Sequence, residues 1–106
     1  MADITVSELK QRLDQGEQLI VVDVREDEEY RMGNIGAIHI PLGSLMARLD
    51  ELEAHKGGEV IVHCRSGKRS ASAVQFLQAN GFANPRNLAG GMLAWKQEID
   101  PSFNVQ

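Results

Sequence analysis

The chain has 106 residues, of which 42% are hydrophobic and 25% charged, and its formal net charge is −4. This length predicts one domain spanning residues 1–106, and the acidic balance argues against nucleic acid as a partner. A lone cysteine excludes an internal disulfide, and the sequence has neither an apolar run of membrane-spanning length nor a secretion signal. We therefore expect a cytoplasmic protein without membrane association, because a reducing compartment keeps a reactive thiol intact.

Short apolar runs alternate with helix-like segments through the first forty residues. Leu19–Val24 is a continuous, mostly β-branched run, which is typical of a strand covered on both faces in a parallel sheet. The predicted elements are a short strand at 4–5, a helix capped by Thr5 and ended by Gly16, the strand Leu19–Val24, a helix over Asp27–Met32, and a strand over Ala37–Ile40.

The same alternation continues to the end of the chain. The predicted elements are a helix that Ser44 caps, with Leu45, Leu49 and Leu52 on one face, a strand over Val60–His63, a helix over Ser70–Asn80, a brief strand over Arg86–Leu88, and a last helix opened by Gly90 and Gly91. Strands that alternate with helices imply right-handed crossovers. The predicted fold is therefore α/β, with a five-stranded, mostly parallel sheet and helices on both faces.

Two predicted strands end in polar residues at the edge of the sheet where such folds bind ligands. Asp23 and Arg25 follow one strand, and His63 and Cys64 follow the other, so neighbouring strands would bring them close together. Asp23 could accept hydrogen bonds from loop amides or from a loop arginine. Arg25 could instead form a surface ion pair with Glu28 or Glu29, and the acidic run 26–29 is typical of a solvated helix start. Because strand neighbours face opposite ways, His63 should point away from the sulfur and make a structural hydrogen bond.

The only cysteine lies in the octapeptide His63–Ser70 (HCRSGKRS), between a predicted strand and a predicted helix. Backbone N–H groups and the positive end of the helix dipole then point at the sulfur or at an anion on it. Arg65, Lys68 and Arg69 add positive charge, and each of these effects favours thiolate over thiol. The alternative is a buried structural cysteine, which has no use for three adjacent cations. The loop therefore predicts a reactive thiolate that handles a small anion.

Two enzyme chemistries use a thiolate held by backbone amides, and the length of the loop separates them. Cysteine phosphatases have the spacing Cys, five residues, Arg, whereas sulfurtransferases, which hold a persulfide on the cysteine, have a shorter loop. Here four residues separate Cys64 from Arg69, and Ser70 stands at the position of the phosphatase arginine. The shorter loop suits one sulfur atom better than a phosphoryl group. Persulfide transfer also needs little help from a general acid, because the leaving thiolate or sulfite is a stable anion.

Three motifs resemble those of the rhodanese family: VVDVREDEEY at 21–30, HCRSGKRS at 63–70 and NLAGGMLAW at 87–95. They occur in order and with the expected spacing, and the resemblance covers essentially the whole chain. It implies a five-stranded parallel sheet between helices and a sulfurtransferase whose cysteine carries the persulfide. No cofactor is expected. No metal is expected either, because the three histidines are too scattered to provide the close ligand pairs of a zinc site.

By position, the resemblance implies that Cys64 is the nucleophile and sulfur carrier. Asp23 and Arg25 match the family's Asp-x-Arg and would support the active-site region. The cationic side chains of the loop would stabilise an anionic persulfide and attract an anionic donor such as thiosulfate. The predicted substrate-binding residues, whose amides would cradle the sulfur, are Arg65, Ser66, Gly67, Lys68, Arg69 and Ser70.

The segment 33–42 (GNIGAIHIPL), the loop CRSGKRSA and the ending EIDPSF are similar to rhodanese domains fused to E1-like adenylyltransferases. Those fusions activate ubiquitin-like sulfur carriers of the molybdopterin and thiamin pathways. The resemblance implies a protein sulfur carrier as one acceptor, besides cyanide and thiols, and a cysteine desulfurase as an alternative donor to thiosulfate. Two other hypotheses stay open: a small phosphatase or arsenate-reductase-like enzyme, and a non-catalytic redox or regulatory module.

Overall fold

The computed structural model describes residues 3–105. Strands and helices alternate along the chain, as the sequence predicts. The elements are α1 (Val6–Asp14), β1 (Val21–Asp23), α2 (Asp27–Met32), β2 (Ile38–His39), β3 (Glu59–His63), α3 (Lys68–Ala79), β4 (Asn84–Asn87) and α4 (Gly91–Glu98). Two 3₁₀ segments, Leu42–Ser44 and Leu49–His55, connect β2 to β3.

The sheet has four parallel strands in the order β2-β1-β3-β4, where the sequence analysis expected five. The expected first strand is a single parallel bridge between Ile4 and Leu88. The chain leaves the sheet there because Thr5 is the N-cap of α1, and its hydroxyl accepts a hydrogen bond from the Glu8 amide at 3.1 Å. The α/β fold with helices around a parallel sheet is otherwise as predicted.

Apolar side chains cover both faces of the sheet, which explains why its central strands are almost wholly hydrophobic. On one face, α1 and α4 pack over Val21 and Ile61 with Ile4, Val6, Leu9, Leu88, Met92 and Trp95. On the other face, α3 and the 3₁₀ segments pack over Val22, Val60 and Val62 with Leu45, Leu52, Ala73, Val74 and Leu77. Cys64 belongs to this second cluster, at the carboxyl end of β3.

The leucine-rich segment after Ser44 is not the α-helix that the sequence analysis predicted. It forms two 3₁₀ segments separated by a turn. The Leu42 amide donates to the Val24 carbonyl at 3.0 Å, and this hydrogen bond holds the start of the segment against the end of β1. Leu45 and Leu52 are still buried, as their spacing indicates. Among the described residues, no helix is long and apolar enough to cross a membrane.

Candidate active site

The Cys64 sulfur lies at the bottom of a loop of backbone amides between β3 and α3. We call residues 64–70 the sulfur cradle. The Gly67 amide donates to Cys64 Sγ at 3.1 Å, and the Ser70 hydroxyl lies 3.4 Å from the same atom. Gly67 has φ +107°, a conformation that other residues rarely adopt, and this turn aims its amide inward. The cysteine side chain is buried, so the sulfur meets these donors in place of bulk water.

Two opposing effects set the pKa of the Cys64 thiol. Burial is the largest single effect, and it raises the pKa because a buried thiolate loses its hydration. The Ser70 hydroxyl and the amides of Ser70, Gly67 and Ser66 act in the opposite direction by donating hydrogen bonds to the sulfur. Together these donors outweigh burial, so the pKa of Cys64 lies below its ordinary value. The sulfur cradle therefore favours the thiolate form of Cys64 over the thiol.

Asn87, at the end of β4, holds the sulfur cradle at two points, a contact that the sequence analysis did not foresee. Its Nδ2 donates to the Gly67 carbonyl at 3.1 Å, and its Oδ1 accepts from the Ser70 hydroxyl at 2.5 Å. The Ser70 hydroxyl has one proton, so Asn87 and the sulfur compete for it. Asn87 therefore fixes the position of the hydroxyl that lies beside Cys64.

The N-terminus of α4 packs against the outside of the sulfur cradle. The Met92 and Leu93 amides donate to the Cys64 and Arg65 carbonyls, each at 3.0 Å. This contact requires glycine at 91, because a Cβ there would lie 2.5 Å from the Cys64 carbonyl oxygen. Since α4 binds the carbonyls on the outside, the amides of the cradle are free to face the sulfur. Gly91 of the third sequence motif thus has a direct role in shaping the loop.

The three cations of the sulfur cradle differ in their surroundings. Arg65 and Lys68 are exposed, whereas Arg69 is partly buried and forms a bidentate ion pair with Glu29 of α2. The two Nη–Oε distances are 2.7 and 2.8 Å, and this pairing holds the pKa of Glu29 at about 2. The acidic run 26–29 was expected to be a solvated helix start, and for Glu29 that expectation is wrong.

Asp23 and Arg25 form a buried ion pair beneath α2. Arg25 Nη2 donates to Asp23 Oδ2 at 2.8 Å and to the Gly33 carbonyl at 2.7 Å, which ties β1 to the end of α2. Asp23 Oδ1 also accepts from the Arg25 backbone amide at 3.0 Å, so the predicted hydrogen bond from a loop amide is confirmed. The alternatives of a surface ion pair for Arg25 and of Arg69 as the partner of Asp23 are wrong, because Arg25 is buried against Asp23 and Arg69 pairs with Glu29. Because α2 presents Glu29 to Arg69, the Asp23–Arg25 pair supports the sulfur cradle indirectly.

His63 is fully buried on the strand beside Cys64 and pairs in register with Asp23 of the neighbouring strand. Its Nε2 is 3.8 Å from Asp23 Oδ2, and neither ring nitrogen has a partner with hydrogen-bond geometry among residues 3–105. The expected structural hydrogen bond is therefore absent from this part of the chain. Burial lowers the pKa of His63 to about 4, while the Asp23 carboxylate and the backbone of Cys64 oppose that shift. His63 is thus neutral near pH 7.

Comparison with known proteins places this geometry in a family. The model of the rhodanese-like domain family matches residues 5–98. The chain belongs to the rhodanese family. A crystal structure of a rhodanese-like domain protein from Staphylococcus aureus superposes on this rhodanese domain with a TM-score of 0.84 at 36% identity, and the match covers 100% of this chain and 99% of that one.

Two relatives show the settings in which such domains occur. A maize protein named adenylyltransferase and sulfurtransferase MOCS3-2 is 40% identical over 110 residues, which cover 98% of this rhodanese domain and 23% of the maize protein. A protein of Allochromatium vinosum named sulfurtransferase is 35% identical over 94 residues, which cover 88% of this chain and 86% of that protein. The chain thus spans about a quarter of the length of the maize relative. Family and relatives together support sulfur transfer as the general activity.

Proposed function

We propose that this rhodanese domain takes sulfane sulfur from thiosulfate or a protein persulfide onto Cys64 and passes it to an acceptor. The acceptor is cyanide, a thiol or a protein sulfur carrier. The observation that carries this proposal is the pair of donors on Cys64 Sγ, the Gly67 amide at 3.1 Å and the Ser70 hydroxyl at 3.4 Å. Donors that favour a thiolate also favour the persulfide anion that replaces it.

In the first half-reaction, the Cys64 thiolate attacks the sulfane sulfur of thiosulfate. A bond forms between Sγ and that sulfur while the sulfur–sulfur bond of thiosulfate breaks. Sulfite leaves with the bonding electron pair, and the cysteine keeps a persulfide with one negative charge. The exchange needs no external oxidant or proton donor, because the total charge is the same before and after. The substrate-binding residues of this step are the amides of the sulfur cradle and its cationic side chains.

In the second half-reaction, a nucleophile attacks the outer sulfur of the persulfide. The bond between the two sulfurs breaks, and Cys64 leaves as the thiolate that began the cycle. With cyanide the product is thiocyanate, and with a thiol it is a new persulfide. The hydrogen bonds that lower the pKa of Cys64 also make it a good leaving group in this step. The reaction is a ping-pong cycle through a covalent intermediate.

A protein acceptor is supported by the maize relative, whose name joins an adenylyltransferase with a sulfurtransferase. The resemblance to rhodanese domains fused to E1-like adenylyltransferases implies that the adenylyltransferase activates a sulfur carrier and the rhodanese domain supplies the sulfur. We propose that the present chain supplies sulfur to a carrier of that kind, with a cysteine desulfurase as an alternative source of the persulfide.

Phosphate-ester hydrolysis is the second candidate function, and the residue at position 70 argues against it. A cysteine phosphatase would place an arginine there to bind two phosphoryl oxygens. Ser70 is instead buried, with its hydroxyl 2.5 Å from Asn87 Oδ1, and the neighbouring Arg69 directs both terminal nitrogens to Glu29. A guanidinium held in this way is a poor clamp for a phosphoryl group.

Intact mass spectrometry of the reduced protein after incubation with thiosulfate tests the proposal. We expect a gain of one sulfur atom that is lost on adding cyanide or dithiothreitol. The Cys64→Ala variant should keep the circular dichroism spectrum of the parent and gain no sulfur. A wild-type protein that gains no sulfur from thiosulfate or from a loaded cysteine desulfurase, but hydrolyses an aryl phosphate, would overturn the proposal.

A further inference from the structure

Glu29 stands out as a charged residue beside the sulfur cradle to which the reaction described above gives no role. It lies on α2, and both of its carboxylate oxygens accept from Arg69 at 2.7 and 2.8 Å. The Glu29 side chain is 19% exposed and that of Arg69 34%, so the pair is partly shielded from water. An ion pair in such surroundings is screened less by salt than one on the open surface.

The position of Glu29 is firmly set by α2 itself. Its Oε1 also accepts from the Glu26 amide at 3.0 Å, which closes the first turn of the helix in a capping box. The Arg69 contact holds the pKa of Glu29 at about 2, so the carboxylate stays ionised at every pH used to assay an enzyme of this kind. The ion pair is therefore a constant feature of the site.

The consequence for an incoming anion is electrostatic. Arg69 is close enough to Cys64 for a thiolate there to contribute to raising the pKa of the guanidinium. Glu29 largely cancels this charge as seen from a donor that approaches the sulfur, because the two ends of a tight pair have opposite sign. The other cradle cations, Arg65 and Lys68, are exposed, and water screens them strongly.

We infer that Glu29 is a specificity-determining residue, which neutralises Arg69 and so disfavours dianionic sulfur donors relative to monoanionic ones. Persulfides on thiols, including a protein persulfide, present at most one negative charge at the sulfur that is transferred. Thiosulfate carries two negative charges, shared between that sulfur and its sulfonate oxygens. The inference rests on the proposed function, and it names the monoanionic persulfide as the donor class to which this site is suited.

A pair of donors that differ by one charge makes the inference measurable. Thiosulfate is a dianion and methanethiosulfonate is a monoanion, yet both deliver a terminal sulfane sulfur and release a sulfur oxyanion. With cyanide as acceptor, both give thiocyanate, so one assay yields kcat/KM for each. The variant is Glu29→Gln, which removes the charge but retains an oxygen to accept from the Glu26 amide.

We expect Glu29→Gln to raise kcat/KM for thiosulfate about tenfold and for methanethiosulfonate only about threefold, because the interaction scales with the charge of the donor. The matched control is Glu28→Gln, which removes the same charge from an exposed position on the same helix and should change each value less than about twofold. The Glu29→Gln/Arg69→Gln double variant, which removes both charges of the pair, should keep the ratio of the two values within about twofold of the parent, since the two charges act on the donor with opposite sign.

An unchanged ratio in Glu29→Gln, or a fall in thiosulfate use, would overturn the inference; a fall would mean that the pair holds Arg69 in place to bind the donor. A double variant whose ratio differs from that of the parent as much as the ratio of Glu29→Gln does would also overturn it. Failure of the proposed function looks different, because the wild-type protein would then form no thiocyanate with either donor. Circular dichroism and thermal unfolding of each variant separate a loss of fold from a change in donor preference.

Discussion

At the scale of single residues, Ser70 has the most direct influence on the sulfur. Its side chain is buried, and its hydroxyl makes the largest contribution among the hydrogen bonds that lower the pKa of Cys64. The same hydroxyl is shared with Asn87. Since its proton can point to only one of them, the thiolate must draw it away from Asn87. Ser70 thus links the ionisation of Cys64 to the hydrogen bonding of β4.

Removing this hydroxyl should make Cys64 a weaker acid. In Ser70→Ala we expect the pKa of Cys64 to rise. The rate of alkylation by iodoacetamide at pH 6 should fall about tenfold, because losing one hydrogen bond to a charged group typically changes an equilibrium constant by about that factor. The control is Ser66→Ala, because Ser66 acts on the sulfur through its backbone amide and its side chain is exposed. Equal alkylation profiles for the two variants would contradict this role of the Ser70 hydroxyl.

At the scale of secondary structure elements, the sulfur cradle depends on α4 as much as on the strand that precedes it. The first amides of α4 bind the outward carbonyls of Cys64 and Arg65. Gly91 allows this close approach for two reasons. Its φ is +55°, and the hydrogen in place of a Cβ leaves room for the carbonyls of the sulfur cradle. The position of α4 therefore sets the direction of the amides in the sulfur cradle, although the cradle connects β3 to α3.

Gly91→Ala should separate α4 from the sulfur cradle. The added Cβ would meet the Cys64 and Arg65 carbonyl oxygens at 2.5 and 2.7 Å, so we expect a loss of about 3 kcal/mol in the free energy of unfolding. Sulfur transfer by the folded fraction should fall roughly 100-fold, because the donors on the sulfur would move.

Gly16→Ala is the matched control for the backbone strain. Gly16 also has a positive φ, of +81°, but a Cβ there would meet no atom within 4 Å. The Gly16→Ala variant should lose only about 1 kcal/mol in its free energy of unfolding and retain full activity. Urea unfolding and the thiocyanate assay on both variants test the expectation, which fails if the two glycines respond alike.

The sequence predicts those elements whose signals are local. The bounds of α2, Asp27–Met32, were predicted correctly from its acidic start and the glycine that follows. The prediction began α3 at Ser70, whereas the helix begins at Lys68, because Gly67 in a left-handed conformation acts as its N-cap. The leucine spacing after Ser44 correctly indicated burial but not 3₁₀ geometry, and it does not reveal the hydrogen bond between the Leu42 amide and the Val24 carbonyl at the end of β1.

The contacts that shape the candidate site are the part that the sequence could not supply. Glu29 and Arg69 are 40 residues apart, and nothing in the acidic run distinguishes Glu29 from its neighbours. The pairing appears only when β1 and β3 lie side by side and bring α2 next to the sulfur cradle. Asn87 lies in a motif that was noticed, but its two hydrogen bonds depend on the register between β3 and β4.

At the scale of the whole molecule, buried and paired ionisable groups make stability depend on pH. Glu29 and Glu59 have pKa values of about 2, each lowered mainly by hydrogen bonds from an arginine: Arg69 for Glu29, and Arg12 for Glu59. Their stabilising contribution is complete above the ordinary glutamate pKa of 4.5 and is lost as the pH falls toward 2. His63 acts in a different window, because its pKa falls from 6.5 in an open chain to about 4 in the folded protein.

The sign of the His63 effect follows from which state binds the proton. Between pH 6.5 and 4 the unfolded chain protonates this histidine and the folded protein does not, so acidification through that window favours unfolding. We expect the free energy of unfolding of the wild-type protein to fall by about 2 kcal/mol between pH 7 and pH 5 because of His63. Glu29 and Glu59 contribute little to this change in stability, because the interval from pH 7 to pH 5 lies above the range in which they titrate.

Replacing His63 by leucine should remove that loss. The imidazole makes no hydrogen bond among the described residues, so His63→Leu should be about as stable as the parent at pH 7. At pH 5 it should be more stable by about 2 kcal/mol, as measured by urea unfolding at the two pH values. The control is His55→Gln, at a half-buried position before the Gly57–Gly58 turn, which should retain the full pH dependence of the parent. If His63→Leu loses as much stability as the parent between pH 7 and pH 5, the buried neutral histidine is not the cause of the acid sensitivity.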